Sequence, residues 1–149
     1  MDLYFDILIF IFGAAIGSFL NVVVLRLPEE KKLTGRSHCP HCGHMLSAWE
    51  LIPLVSYIVL HGKCRKCKTK ISPRYFVIEL ATGLLFFVGW IIFAPHSPLT
   101  WVLFIKWMII AAAAVAIFVI DLEHYLILDT IVFPVLGAML ACALAADIV

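Results

Sequence analysis

The sequence has little charge for its length. Charged residues make up 14% of its 149 residues, whereas hydrophobic residues make up 64% and the mean hydropathy is +1.07. Soluble domains contain roughly half apolar residues, so this composition excludes an ordinary soluble domain and indicates a membrane protein in contact with lipid. The net charge of +1 gives no indication of a nucleic-acid partner, and we expect none.

Positive charge is almost absent outside one segment. Ten of the eleven Lys and Arg residues lie between Arg26 and Arg74, and the other one is Lys106. A basic excess in a short connection between spans is typical of the cytoplasmic side of a membrane. We therefore expect residues 26–74 to be cytoplasmic, in a reducing compartment where paired cysteines bind metal more often than they form disulfides.

Four apolar runs are long enough to cross a bilayer, which takes about 20 residues. They cover residues 3–25, 75–94, 99–120 and 126–146. Lipid offers no partner to free backbone groups, so each run should be helical. We predict an all-α integral membrane bundle of about four helices. A transmembrane helix occupies residues 1–25, a cytoplasmic zinc-knuckle domain is inserted at 26–74, and further transmembrane helices occupy 75–149.

Two CxxC pairs stand in the predicted cytoplasmic segment. Cys39 and Cys42 are separated by 21 residues from Cys64 and Cys67. Four thiolates at this spacing suit one tetrahedral Zn²⁺, and four protein ligands leave no position for a catalytic water, so the metal should be structural. A redox dithiol and two disulfides are the alternatives, and a nearby histidine could replace one sulfur. These histidines are His38, His41, His44 and His61.

The first span carries small and polar residues at four-residue intervals. Gly13, Gly17 and Asn21 share one helical face, where the glycines allow two backbones to approach closely and Asn21 can hydrogen-bond across the contact. Helix packing is the favoured interpretation for the glycines, and a substrate role stays open for Asn21. The apolar run 51–60 is too short to span a bilayer and should be buried or interfacial.

Acidic residues near the ends of the later spans are candidates for chemistry. Glu79 lies near the start of the second span, where either pairing with Arg74 or the helix N-terminus would stabilise it. Asp121 follows an alanine-rich run that admits a neighbouring helix, so it could act as a general acid or base or be a solvated helix end. Asp129 is expected to be a helix N-cap.

Taken in order, these motifs resemble the type IV prepilin peptidases, the bifunctional leader peptidases and N-methyltransferases of pilus and type II secretion systems. The resemblance extends over nearly the whole chain. It is carried by segments 17–24, 26–28, 39–42, 50–57, 62–67 and 71–76, by Glu79, and by the pairs Ile120-Asp121 and Leu128-Asp129.

The resemblance implies an aspartic protease of the GxGD type in the bacterial inner membrane. It would cut the leaders of prepilin or pseudopilin precursors at the cytoplasmic face, with Asp121 as one member of a carboxylate pair. It also implies methylation of the new N-terminus from S-adenosylmethionine. Gly62 matches a glycine implicated in that second activity, although a tight turn before Cys64 would explain it equally well.

The sequence departs from the family pattern at two points, and the first is that Leu128 stands where a proline often precedes the aspartate that Asp129 matches. The second is that the sequence contains no Gly-x-Gly-Asp segment, and Asp147, preceded by two alanines, is a poor substitute. We therefore expect an N-terminal portion that needs the missing C-terminal helices or a second protomer for cleavage. The alternative is a catalytically inactive scaffold that binds pilin or assembly proteins through its zinc domain.

Overall fold

The described residues begin and end in long helices, and a polar segment lies between the first two of them. The computed structural model describes residues 3–125 and 129–148, with side chains through residue 144. Its helices are α1 (Leu3–Arg26), α2 (Val55–Val59), α3 (Arg74–Phe93), α4 (Pro98–His124) and α5 (Asp129–Ile148), and a 3₁₀ turn covers Ala48–Leu51. The described ranges contain isolated β-bridges but no strand, so the predicted all-α class is confirmed.

Three helices are long and apolar enough to cross a membrane. They are α1, α3 and α4, with 24, 20 and 27 residues, and they coincide with the first three predicted spans. The helix α5 occupies the place of the fourth, and its apolar part, Asp129–Leu144, is shorter than the other three. The start of the predicted fourth span at residues 126–128, including Leu128, and the side chain of Asp147 lie outside the described residues. The architecture is that of a multi-pass membrane protein.

The helices α1 and α3 pack antiparallel along their whole length. A Cβ atom on Gly17 would lie 2.8 Å from the Cα of Glu79, and one on Gly13 would lie 2.9 Å from the Cα of Gly83. Side chains follow the same register, since Trp90 Nε1 donates to Asp6 Oδ1 at 2.9 Å and Asn21 Nδ2 donates to the Tyr75 carbonyl at 3.1 Å. The predicted packing face of the first span is confirmed.

The helix α4 lies against α3 and also contacts α1 and α5. Its N-terminus is capped by Ser97, whose Oγ accepts the Thr100 N–H, and Pro98 follows at the first helical position, where no N–H is needed. Near its middle, buried Ala116 packs with Leu20 of α1 and Ile78 of α3. Small side chains on α4 therefore allow the helices to meet closely, as the alanine-rich run predicted.

Candidate metal centre and candidate carboxylate site

Each CxxC pair forms a tight turn closed by backbone hydrogen bonds. In the first turn the Cys39 N–H donates to the His44 carbonyl, and in the second the Cys64 N–H donates to the Thr69 carbonyl, both at 2.9 Å. The residue four positions after the leading cysteine has positive φ in both turns, +67° at Gly43 and +60° at Lys68. The two turns are therefore near copies of one another, although only one of them has glycine at this position.

The four thiols meet in one cluster. All four sulfur atoms lie within 4.8 Å of one another, and two pairs, Cys39–Cys67 and Cys42–Cys64, are separated by 3.8 and 4.0 Å. A tetrahedral ion with Zn–S bonds of about 2.3 Å requires sulfurs about 3.8 Å apart. The donor set and its spacing thus fit zinc, and within the described residues the cluster consists of cysteines without a histidine.

The surroundings of the cluster shift the pKa values of its thiols in opposite directions, and the thiolate is the form that binds metal. Backbone N–H groups of Cys42 and His41 lower the pKa of the Cys39 thiol. Hydrogen bonding from the hydroxyl and backbone N–H of Thr69 lowers the pKa of Cys67 to about 6. The His44 N–H acts in the lowering direction on Cys42, but burial and hydrogen bonds with the other three cysteines raise its pKa to about 11. The leading cysteine of each pair is buried while the second is exposed.

Glu50 supports the first cysteine turn, a role that we did not predict from the sequence. Its Oε2 accepts the Ser47 N–H at 2.9 Å and the Ser47 hydroxyl at 2.7 Å, and it lies 3.4 Å from His44 Nε2. The Ser47 N–H lowers the pKa of this carboxyl. The pattern Ser47-x-x-Glu50 is a capping-box signature, so a scan for helix N-termini would have found it.

Gly62 lies just before the second cysteine turn. It has φ +63°, a conformation that side chains disfavour, and a Cβ atom there would lie 2.9 Å from the Tyr57 ring. Its N–H donates to the Tyr57 carbonyl at 2.9 Å, and its carbonyl accepts from Ile71 at 2.7 Å. The positive φ and the nearby Tyr57 ring explain why this position is glycine. The assignment of Gly62 to methyl-donor binding stays a prediction.

Glu79 links the polar segment to the helix bundle. Glu79 is 8% exposed, and its Oε2 accepts the backbone N–H of Leu54 at 2.8 Å. A buried carboxylate needs such a partner. The sequence suggested either Arg74 or the helix N-terminus as the stabilising group, and Arg74 instead pairs with Glu123 at the end of α4. Leu54 has φ +61°, so the hydrogen bond holds a strained turn just before α2.

Asp121 lies in the last turn of α4 and is exposed. The residue before it, Ile120, is buried, so the helix presents Asp121 at the boundary of the packed bundle. The alanine-rich run suggested that neighbouring helices would enclose this carboxylate. The described helices do not enclose it. Two residues further on, Glu123 forms its ion pair with Arg74, the first residue of α3.

This ion pair sets the position of Asp121 relative to the cysteine cluster. Arg74 directly follows the polar segment that carries the four thiols, and Glu123 lies in the last turn of the helix that carries Asp121. The two features therefore lie at the same end of the bundle. Asp129, predicted as an N-cap, is the first residue of α5, where an acidic side chain stabilises the helix N-terminus.

Comparison with known proteins identifies the family. The model of the bacterial peptidase A24 N-terminal domain matches residues 11–93, more than half of the chain. The chain belongs to this family. The matched range begins within α1, includes both cysteine pairs, and ends with the last residue of α3. The packing face of α1, the cysteine cluster and Glu79 all fall within the A24 N-terminal domain.

Curated relatives agree with this membership. The chain is similar to the prepilin leader peptidase/N-methyltransferases of Pseudomonas aeruginosa and Myxococcus xanthus, at 39% and 37% identity over 83% and 95% of this chain. It is 38% identical over 89% of its length to the type 4 prepilin-like proteins leader peptide-processing enzyme of Escherichia coli. These matches cover 49%, 40% and 55% of the relatives, so the chain spans about half their length. No solved structure matches it.

Proposed function

We propose that this chain is the N-terminal part of a prepilin leader peptidase in the bacterial inner membrane, with its four-cysteine domain in the cytoplasm. The observation that carries the proposal is the Arg74–Glu123 ion pair, which holds Asp121 at the end of the bundle that bears the cysteine cluster. The concentration of basic residues between Arg26 and Arg74 supports a cytoplasmic location for this end. Membership of the A24 family and the names of the relatives support the reaction.

In the proposed cleavage, Asp121 is one of two carboxylates that share a proton. The ionised carboxylate takes a proton from water as the water oxygen adds to the scissile carbonyl carbon, while the protonated one donates a hydrogen bond to the carbonyl oxygen. Breakage of the C–N bond then releases the leader, and the leaving nitrogen takes up the proton. We propose that the second carboxylate comes from C-terminal helices like those of the longer relatives, or from a second protomer.

A bound zinc ion would be structural in this scheme. The four thiolates fill a tetrahedral coordination sphere, so the ion has no position for a reacting water. Cys39, Cys42, Cys64 and Cys67 would hold it. The ion would join the two cysteine turns, and Glu79 of α3 attaches this domain to the helix bundle by accepting the Leu54 N–H.

We further propose that the family's N-methyltransferase activity involves this cysteine domain. The new N-terminal amine would take the methyl group of S-adenosylmethionine and release S-adenosylhomocysteine and a proton. Gly62 is the candidate donor-binding residue by resemblance. Incubating the zinc-loaded chain with a pre-cleaved pilin and labelled S-adenosylmethionine tests this assignment, and no transfer of label would exclude methylation by this chain alone.

The peptidase proposal is tested by completing the chain. Co-expression with the C-terminal half of the Pseudomonas aeruginosa relative should restore removal of a prepilin leader, measured by the mobility shift of the pilin. Asp121→Asn should abolish cleavage, and the matched substitution Asp129→Asn in the next helix should preserve it. Equal cleavage by the Asp121→Asn variant would remove Asp121 from the mechanism.

A catalytically inactive scaffold is the second candidate. It is favoured by the absence of a Gly-x-Gly-Asp segment from the 149 residues and by the exposure of Asp121. A scaffold should retain prepilin on an affinity resin without cleaving it, and binding should be lost when the cysteine cluster is disrupted. Leader removal that depends on Asp121 in the completed protein would reject it.

A further inference from the structure

The polar segment exposes a group of large apolar side chains. Their exposed fractions are 80% at Trp49, 43% at Leu51, 52% at Val55, 61% at Ile58 and 66% at Val59. Val55, Ile58 and Val59 have the i, i+3, i+4 spacing of one helical face. The 3₁₀ turn that carries Trp49 and Leu51 contacts α2. We call these five residues the apolar surface.

The apolar surface is attached close to the point where α3 enters the bundle. The Leu54 N–H, directly before α2, donates to Glu79 at 2.8 Å, and the Tyr57 ring lies 5.4 Å from the Phe76 ring between centroids. Phe76 and Glu79 belong to the first two turns of α3. At 1.5 Å per residue, the α2 attachment is within about 8 Å of the end of this membrane span. Such a position corresponds to the interfacial region of a bilayer.

Charge beside the apolar surface indicates which partner it meets. The stretch directly after α2 exposes five basic side chains, Lys63, Arg65, Lys66, Lys68 and Lys70. Basic residues next to a span are attracted to anionic lipid headgroups, and Trp is enriched at membrane–water interfaces. An apolar helical face that is followed along the chain by exposed cations and attached at the level where a span begins therefore matches a lipid surface.

We propose that the apolar surface inserts into the leaflet that α3 enters, so that the four-cysteine domain lies on the membrane. Two attachments then set the height of the metal cluster above the bilayer: the Glu79–Leu54 hydrogen bond to the bundle and the insertion of Trp49 and the exposed face of α2 into lipid. Insertion of the apolar surface does not depend on the reaction that the chain supports. A result that contradicts insertion therefore leaves the proposed function untouched, and the reverse also holds.

Trp49 provides a direct test, because it is 80% exposed and its replacement by Phe should not disturb folding. The chain and its Trp49→Phe variant are placed in phosphatidylcholine–phosphatidylglycerol vesicles with or without brominated acyl chains. The difference between the two emission spectra reports Trp49. We expect brominated lipid to quench it about as strongly as the tryptophans in the spans, Trp90, Trp101 and Trp107. Unquenched Trp49 emission alongside quenched span tryptophans would overturn the proposal.

A second measurement separates lipid from protein as the occupant. A photoreactive benzoylphenylalanine replaces Val59, or Met45 as the matched exposed apolar control, in the chain expressed in bacterial membranes. Irradiation should give a lipid adduct at position 59, recognised by its mass, and much less at position 45. An adduct of position 59 with another polypeptide, or equal lipid adducts at both positions, would refute insertion of the apolar surface.

Discussion

The close approach of α1 and α3 predicts that Gly17 tolerates no side chain. A Cβ atom at this position would lie 2.8 Å from the Cα of Glu79 and 3.0 Å from the Ile78 carbonyl oxygen. Both neighbours are backbone atoms that cannot rotate away. Carbon atoms in contact prefer a separation of about 3.5–4.0 Å, so Gly17→Ala must move the two helices apart by roughly 0.7–1.2 Å.

Gly137 offers a matched control, because a Cβ atom there meets nothing within 4 Å. Replacing either helical glycine by alanine gains a similar helix propensity, about 1 kcal/mol. That gain cancels when Gly17→Ala is compared with Gly137→Ala, and the packing cost remains. Overpacking typically costs about 1–3 kcal/mol. We therefore expect the Gly17→Ala variant to be less stable than the Gly137→Ala variant by about that amount.

Thermal unfolding of both variants in a mild detergent, followed by far-UV circular dichroism, measures this difference. The Gly17→Ala variant should unfold at the lower temperature, and separation of the helices should also weaken the hydrogen bond from Asn21 to the Tyr75 carbonyl. Equal unfolding temperatures for the two variants would show that the glycine face of α1 does not serve close packing on α3.

Three further outcomes follow from the polar segment and its attachment. Elemental mass spectrometry should find one zinc ion per chain. Cys64→Ser should reduce the zinc content, and Cys142→Ser should leave it unchanged. Equal zinc content in both variants would contradict the site. The pKa of Glu50 lies below its ordinary value of 4.5, so its ionised carboxylate contributes stability above pH 4.5 that is lost as the pH falls through the lowered pKa. Glu50→Gln should therefore reduce the loss of unfolding free energy on acidification, measured by unfolding titrations at several pH values. An unchanged pH dependence would contradict that role. Arg74→Glu should destabilise by about 1 kcal/mol and the added Glu123→Arg should restore stability, whereas additive losses would exclude the ion pair.

Local features of the fold could be predicted from the sequence because they depend on neighbours in the chain. Hydropathy over about 20 residues located α1, α3 and α4, and the spacing of Gly13, Gly17 and Asn21 identified the packing face of α1. The thiol cluster was predictable for the same reason, since each CxxC turn brings two sulfurs together and one ion needs four.

Partners far apart in the chain could not be assigned in this way. The sequence marked Glu79 as a costly charge and suggested Arg74, five residues away, as its partner. In the fold the Glu79 partner is the backbone N–H of Leu54, a group that every residue except proline possesses and that no side-chain pattern reveals. The pairing of Arg74 with Glu123 likewise depends on α4 returning beside α3.

The low charge of the sequence indicated by itself a membrane protein, and its cysteine spacing predicted the cluster of four thiols that fits a metal ion. Both follow from composition and short-range geometry, since the hydrophobic effect and coordination chemistry act on residue type. Only the tertiary structure decided that Leu54 attaches the cysteine domain to Glu79 and that Arg74 pairs with Glu123. The register between antiparallel helices and the return of α4 to α3 depend on packing of all the helices together.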